Sequence, residues 1–189
     1  YQLYCRADIE LNEMIDAVNK NVIVTTNNIK LRNMAGIYLL HKNKILLLYR
    51  KGSKVANNTW IASAGGHFEE WELNDAKACA LREMKEELSV TEEMISDMNL
   101  RYVSLRRTNG EIRQNYYFFA NLKDEYAEGL VSEEGDLKWF DLNGISELQM
   151  PYSAKYMIEH YLATGRQNDK VYVGTADGAG VVFTELAEY

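Results

Sequence analysis

The sequence predicts a mixed α/β (α+β) sandwich built around a central β-sheet. Three observations lead there. Strand-like and helix-like segments alternate irregularly along the 189 residues, with no internal repeat, low-complexity tract or linker. Two neighbouring runs, "MAGIYLL" and "ILLLYR", are apolar almost throughout, which calls for cover on both faces of the strands they form. The length fits most simply one domain with room for a real core.

Residues 8–19 carry Ile9, Leu11, Met14, Ile15 and Val18 at roughly helical spacing, which predicts a short amphipathic helix. "NVIVTTNNIKLRNM" reads as one or two strands. "MAGIYLLHKNKILLLYRK" places two β-rich runs on either side of a polar tetrad, a hairpin signal. After Gly65-Gly66 a helix is expected from about Asp75 to Leu88, with Ala76, Ala80, Met84 and Leu88 recurring every four residues and Asn74 or Asp75 as cap. "LRYVSLRRTNGEIRQNYYFFANL" is the clearest hairpin, because Asn109-Gly110 favours a type I′ turn. A polar loop is expected from Lys123 to Asp136, then a short strand at "LKWFDL". A second helix is expected from Ser153 to Leu162, after Pro151 and capped near Ser153. "KVYVGTADGAGVVFTEL" reads as a closing hairpin with its turn near Asp177-Gly178.

Composition narrows the function. A net charge of −7 argues against a general nucleic-acid backbone binder, which needs a basic face. A nucleotide remains compatible, since bound cations neutralise phosphate locally. The two cysteines, Cys5 and Cys79, give neither a disulfide framework nor zinc spacing, and Cys79 reads as a small core residue in a helix. No apolar run approaches a membrane span and no signal peptide is visible, so a reducing cytoplasm is the expected location, without a membrane partner.

The chemistry is concentrated between Ser63 and Val90. On a helix, Glu83 has both Glu86 and Glu87 within reach, at three and four residues. Each uncompensated like-charge pair costs about 0.2–0.5 kcal/mol. The carboxylates also crowd the last turns, where the helix dipole disfavours anions. Most Glu/Lys-rich helices are simply solvated faces. The Gly-Gly-His loop directly upstream favours the other reading, a cation held among the carboxylates. Oxygen-only ligands select hard cations, magnesium, manganese or calcium, rather than zinc.

The order strand, Gly-rich loop, acidic helix resembles the Nudix hydrolase superfamily, whose box reads G-x5-E-x7-R-E-U-x-E-E-x-G-U with U a bulky apolar residue. Gly66 to Glu72 supplies the first half and Arg82 to Val90 the second. There are two departures. Nine residues rather than seven separate Glu72 from Arg82, read as a two-residue insertion before the helix that leaves Glu72 near its usual place. Ser89 stands where the family has glycine, so Ser89 takes a strained dihedral or the helix ends differently.

The resemblance covers about Met34 to Leu162 and implies an α-β-α sandwich around a mixed sheet, one domain spanning 1–189. Residues 1–33 are then an N-terminal extension and 166–189 a C-terminal hairpin packed on it. It implies Mg2+ or Mn2+ as cofactor. Glu86 and Glu87 would bind the metal, Glu83 would bind it or act as base, the Gly65 carbonyl would be a further ligand, and Arg82 would orient a neighbouring carboxylate. Glu133 or Glu134, on a later loop, is the candidate to complete the site. The implied reaction is hydrolysis of a diphosphate linkage in a small-molecule nucleoside diphosphate derivative, with an oxidised nucleoside triphosphate as first candidate by analogy. Trp71, His67 and Glu134 are the expected substrate contacts. For Tyr116 to Phe119, division between core and neighbouring elements is expected over a stacking platform. A catalytically weak nucleotide sensor is the alternative, although the acidic set is complete. Isopentenyl-diphosphate isomerase also resembles the family but uses a cysteine in the loop where this chain has Ser63 to His67. The terminal segments leave a homodimer open.

Overall fold

The computed structural model describes residues 30–51 and 58–188. The helix expected at 8–19 and the strand reading of 21–29 lie outside the described residues.

Strands β1 (Lys30–His41) and β2 (Lys44–Arg50) form the expected antiparallel hairpin. Its two-residue turn sets Lys42 at φ 55°. Apolar residues at every position divide between two faces, as the period of two requires. Ile37, Leu39 and Leu46 enter one core and Tyr38, Ile45 and Leu47 the other, all at most 1% exposed. The remaining strands are β3 (Thr59–Ile61), β4 (Ala64–His67), β5 (Ile95–Thr108), β6 (Glu111–Leu122), β7 (Gly135–Asp141), β8 (Tyr172–Ala176) and β9 (Val181–Glu185). Among the described residues they form one nine-stranded sheet in the order β3-β2-β1-β6-β5-β8-β9, with β4 paired to β1 and β7 to β2. The β5–β8 pair is parallel, which makes the sheet mixed, and the β8–β9 hairpin extends it.

The β5–β6 hairpin turns on Asn109 (φ 50°) and Gly110 (φ 75°), the positive-φ pair of a type I′ turn. Strand β5 starts at Ile95, before the expected Leu100, because two register shifts let the polar stretch Ser96–Asn99 join the ladder.

One helix covers each face. Helix α1 (Ala76–Leu88) lays Cys79, Ala80, Met84 and Leu88 on the Ile37 side. Asp75 caps it by accepting the Ala78 N–H at 3.0 Å. Helix α2 (Tyr152–Ala163) lays Met157, Ile158 and Tyr161 on the Tyr38 side. It starts directly behind Pro151 rather than at Ser153. The Ser153 side chain caps nothing and is buried. Phe118 faces the α1 core and Phe119 the α2 core, so these two aromatics serve the interior and not a stacking platform.

Helix α1 ends with Ser89 at φ 55° and ψ 23°, its N–H donating to the Lys85 carbonyl. The left-handed conformation costs a non-glycine residue about 1–2 kcal/mol. Ser89→Gly should therefore raise stability by about 1 kcal/mol in urea unfolding.

Candidate active site

The site is the seam between α1 and β4. Strand β4 pairs with β1, Gly65 opposite Gly36 and Gly66 opposite Ala35. A side chain on Gly66 would overlap the Glu83 carboxylate, so glycine leaves room for that carboxylate against the strand. Helix and strand are then tied by polar contacts. The Gly65 N–H donates to Glu87 Oε2 at 3.1 Å, and Arg82 Nη2 donates to the His67 carbonyl at 3.0 Å.

Arg82 organises the carboxylates. Its Nε and Nη2 donate to the two oxygens of Glu72 at 2.7 and 2.9 Å, and its Nη1 donates to Glu83 at 2.8 Å and Glu86 at 2.9 Å. With the His67 carbonyl, this occupies all five guanidinium donors. The Glu72 carboxylate is fully buried and also accepts the Glu69 N–H at 2.8 Å. The arginine holds it below the usual carboxylate range. The two extra residues are absorbed before the helix, where a single 3-10 turn (Glu70–Glu72) and Asn74 at φ 89° fold the chain back. Glu72 consequently reaches Arg82 despite the longer spacing.

Glu83 is only partly compensated by Arg82, and Glu87 has no ion-pair partner among the described residues. Burial pushes the Glu83 carboxyl up, against the pull of Arg82. Glu87 lies deeper and is pushed up to about 7, first by burial and then by the charges of Glu83 and Glu134, against the Gly65 N–H and Arg50. Glu86 is more exposed, its side chain 58% accessible. Among the described residues no three His, Cys, Asp or Glu side chains converge as a metal-binding group. Two of the carboxylates are turned to Arg82, whose guanidinium supplies the positive charge among them. Three oxygen-donor side chains within two helical turns, two of them with raised pKa values, still fit a hard divalent cation once Glu83 and Glu86 turn away from the arginine.

The other expected site residues are placed as follows. Glu134 Oε2 accepts from Arg50 Nη2 at 2.5 Å, and both act electrostatically on Glu87. His67 Nε2 accepts from Arg32 Nε at 3.1 Å and faces its Nη2 at 2.7 Å. Burial and the Arg32 charge keep the imidazole neutral to lower pH than usual. Trp71 sits on the 3-10 turn, 69% exposed, and is not among the residues that line the cleft described next. The Cys79 thiol, fully buried under the loop, is pushed up to about 12 and stays protonated.

Beside Gly65 opens a cleft of about 170 Å³, lined by Gly36, Tyr38, Arg50, Gly65, Asn115 and Tyr117 among others. Sequence reasoning missed Arg50, Asn115 and the role of Tyr117. Arg50 closes the apolar run Ile45–Tyr49, which was the available signal for it. The other two are ordinary strand residues until the register puts them beside Gly65.

The family model of the NUDIX domain matches residues 30–161. Solved structures share the fold at low identity. A MutT protein from Bacillus halodurans is 20% identical at a TM-score of 0.61, covering 84% of this chain and 99% of its own. The Ap4A hydrolase of C. elegans, in a binary complex, is 19% identical at a TM-score of 0.59, covering 72% and 99%. A NUDIX hydrolase from Nitrosomonas europaea is 16% identical at 0.61, covering 78% and 79%. No curated protein sequence matches the chain.

Two outcomes follow from the charges. Arg82→Ala leaves Glu72 buried and unpaired, and should cost about 3–5 kcal/mol in urea unfolding. Lys77→Ala, which breaks the exposed Lys77–Glu92 pair, should cost under about 1 kcal/mol. Glu87 binds its proton more tightly folded than unfolded, so its contribution to stability is full below about pH 4.5 and is lost as pH rises through about 7. Metal-free protein should lose about 2 kcal/mol across that window, and Glu87→Gln should flatten that part of the profile.

Proposed function

We propose that this chain, which belongs to the NUDIX domain family, is a metal-dependent hydrolase that cleaves the diphosphate linkage of a nucleoside diphosphate joined to another group. Family membership supplies the coarse part: a hydrolase acting on nucleoside diphosphate derivatives. The observation that carries the finer reading is the position of Glu87. It is a half-buried carboxylate, held near neutrality, on the Gly65 N–H at the edge of the cleft.

In this reading Glu83, Glu86, Glu87 and the Gly65 carbonyl hold Mg2+ or Mn2+. Gly65 spends its N–H on Glu87 rather than on the β1 ladder, which supports a carbonyl turned to the same edge of the strand. The bound ion would withdraw charge from the diphosphate and lower the barrier to attack by water. Arg82 keeps Glu83 and Glu86 within reach of one another. Glu83 is the base candidate, its basicity raised by burial. Arg50 lines the cleft, and when a phosphate enters it can exchange the Glu134 carboxylate for a phosphate oxygen. Tyr38, Tyr117 and Asn115 offer aromatic and amide surface to the nucleoside side.

A dinucleoside polyphosphate, the class named for the C. elegans neighbour, and a nucleoside triphosphate are both within the class proposed. A cytoplasmic location belongs to the same proposal and is supported by the free, buried Cys79 thiol. No helix among the described residues is long and apolar enough to cross a membrane.

Nucleotide or phosphate release from nucleoside triphosphates, dinucleoside polyphosphates, nucleotide sugars and ADP-ribose tests this, with magnesium, manganese or chelator. Turnover should require the metal, and Glu87→Gln should lower kcat by at least about a hundredfold. Apparent metal affinity in the parent protein should rise with pH through about 7, where Glu87 is half ionised, and level off above it. Metal-independent turnover, or an unaffected variant, would overturn the assignment. No turnover together with nucleotide binding would make the protein a sensor.

A further inference from the structure

The cleft beside Gly65 is too small for the group it should receive. At about 170 Å³ it falls below the roughly 300–1,000 Å³ of a small-molecule site. A substrate anchored there has to run out along the sheet. On the α2 face of β5 and β6 the same-side positions follow in register: Tyr102 with Tyr117, Ser104 with Asn115, Arg106 with Arg113. Asn115 lines the cleft and donates to the Ser104 hydroxyl at 3.4 Å. One step further, Arg106 lines a second, larger hollow of about 530 Å³ with Tyr152, the first residue of α2, and Asp177. Pro151 borders the first hollow and Tyr152 the second, so the two adjoin.

Arg106 has no hydrogen-bond or ion-pair partner among the described residues. Its Nε is buried with no hydrogen bond, the one such side-chain atom among the described residues. Every ion pair found among the described residues omits it, and its cross-strand neighbour is another cation, Arg113. Of the two acids near it, Glu111 is taken by other arginines, and Asp177 lines the hollow as an anion. Glu111 accepts from Arg113 Nε at 3.1 Å and lies 3.8 Å from Arg32. Asp177 Oδ1 accepts the N–H groups of Ala179 and Gly180 at 2.9 and 3.1 Å in the β8–β9 turn. Burial and the Arg113 charge both work against the Arg106 cation. Arg113 has Glu111 as its anion, whereas Arg106 has none among the described residues, and a half-buried guanidinium without an anion destabilises the fold.

We propose that Arg106, with Tyr152 beside it in the hollow, is a distal phosphate subsite, and that the preferred substrate carries a phosphate monoester on the part of the molecule remote from the scissile diphosphate. The proposal rests on the hydrolase reading above and narrows its substrate class. From Tyr117 to Arg113 is about 14 Å along β6, at roughly 3.4 Å per residue. That is too far for the phosphates being cleaved and suits the far end of a nucleoside or of the group attached to it.

Two matched pairs test it: NADPH against NADH, with the extra phosphate on the nucleoside, and ADP-ribose 1″-phosphate against ADP-ribose, with it on the other moiety. The phosphorylated member of one pair should show a kcat/KM about tenfold higher, the worth of one charge-assisted hydrogen bond. Arg106→Gln should bring that ratio to about one, and Arg106→Lys should restore part of it. The Tm of Arg106→Gln should match or exceed that of the parent, since an unpaired cation is removed. Binding of the same four compounds to the Glu87→Gln protein reads the subsite without turnover. A preference there that Arg106→Gln abolishes supports the subsite even if the hydrolase reading fails. No preference in either pair, or equal losses on both members with a lowered Tm, would overturn the proposal.

Discussion

The guanidinium of Arg82 is the group on which the rest of the site depends. It spends five donors on three carboxylates and one carbonyl, drawn from three segments: the 3-10 turn, strand β4 and its own helix. Only a planar fork with five N–H groups can do this; a lysine ammonium has three donors and no fixed geometry. The Glu72 end of the contact is the expensive one, since its carboxylate is wholly buried. The Glu86 end is exposed and worth little by itself. Position rather than net energy is what the pair contributes. A buried ion pair of this kind is weak evidence for stability, but it fixes the helix against the strand to within hydrogen-bond tolerance.

That fixation makes the electrostatics of Glu87 possible. Gly66 leaves room for the Glu83 carboxylate, Arg82 locks the helix to the strand, and Glu87 is left on the Gly65 N–H with its charge only partly compensated. A carboxylate allowed to move would turn to solvent and regain an ordinary pKa. Here the helix is pinned at Glu72 and His67, and the carboxylate stays where burial acts on it. The cost is local and the support is several residues away, a pattern expected of sites built for a ligand.

The legible part of the molecule was the part in which chemistry follows from spacing along one element. The carboxylates of α1 share a helix face, so their mutual reach can be read from residue numbers alone. The β5–β6 hairpin could be read because Asn-Gly carries its turn conformation with it. Strands β3 and β4 could not: at three and four residues, with Gly65 and Gly66 in the second, they have no periodicity to detect. Glu72 was hard to assess for another reason. Whether a lengthened spacing still closes depends on Asn74 taking φ 89°, a backbone event that no side-chain pattern announces. Arg50, Asn115 and Arg106 lie on strands, and their common face emerges only from the register of β1, β2, β5 and β6. The two-residue period says that neighbours point apart, but not which direction is the cleft.

Buried polar groups along this face therefore divide into two kinds. Most are satisfied within the chain: Ser63 donates to the Leu46 carbonyl and accepts from the Leu39 N–H, and Arg101 donates to the Gly165 and Lys170 carbonyls. The fold thus satisfies even a buried arginine when structure is the only demand on it. Glu87 and Arg106 are treated differently, a carboxylate and a guanidinium of opposite sign, each short of compensation. They lie on either side of the run from Gly65 through Asn115 and Ser104. Bringing them together would have settled both charges. Their separation leaves a positive deficit at one end and a negative deficit at the other, which a cation at the helix and an anion at the far strand would repair. A molecule that carries phosphate at two separated positions, one of them shared with a metal ion, has that charge distribution.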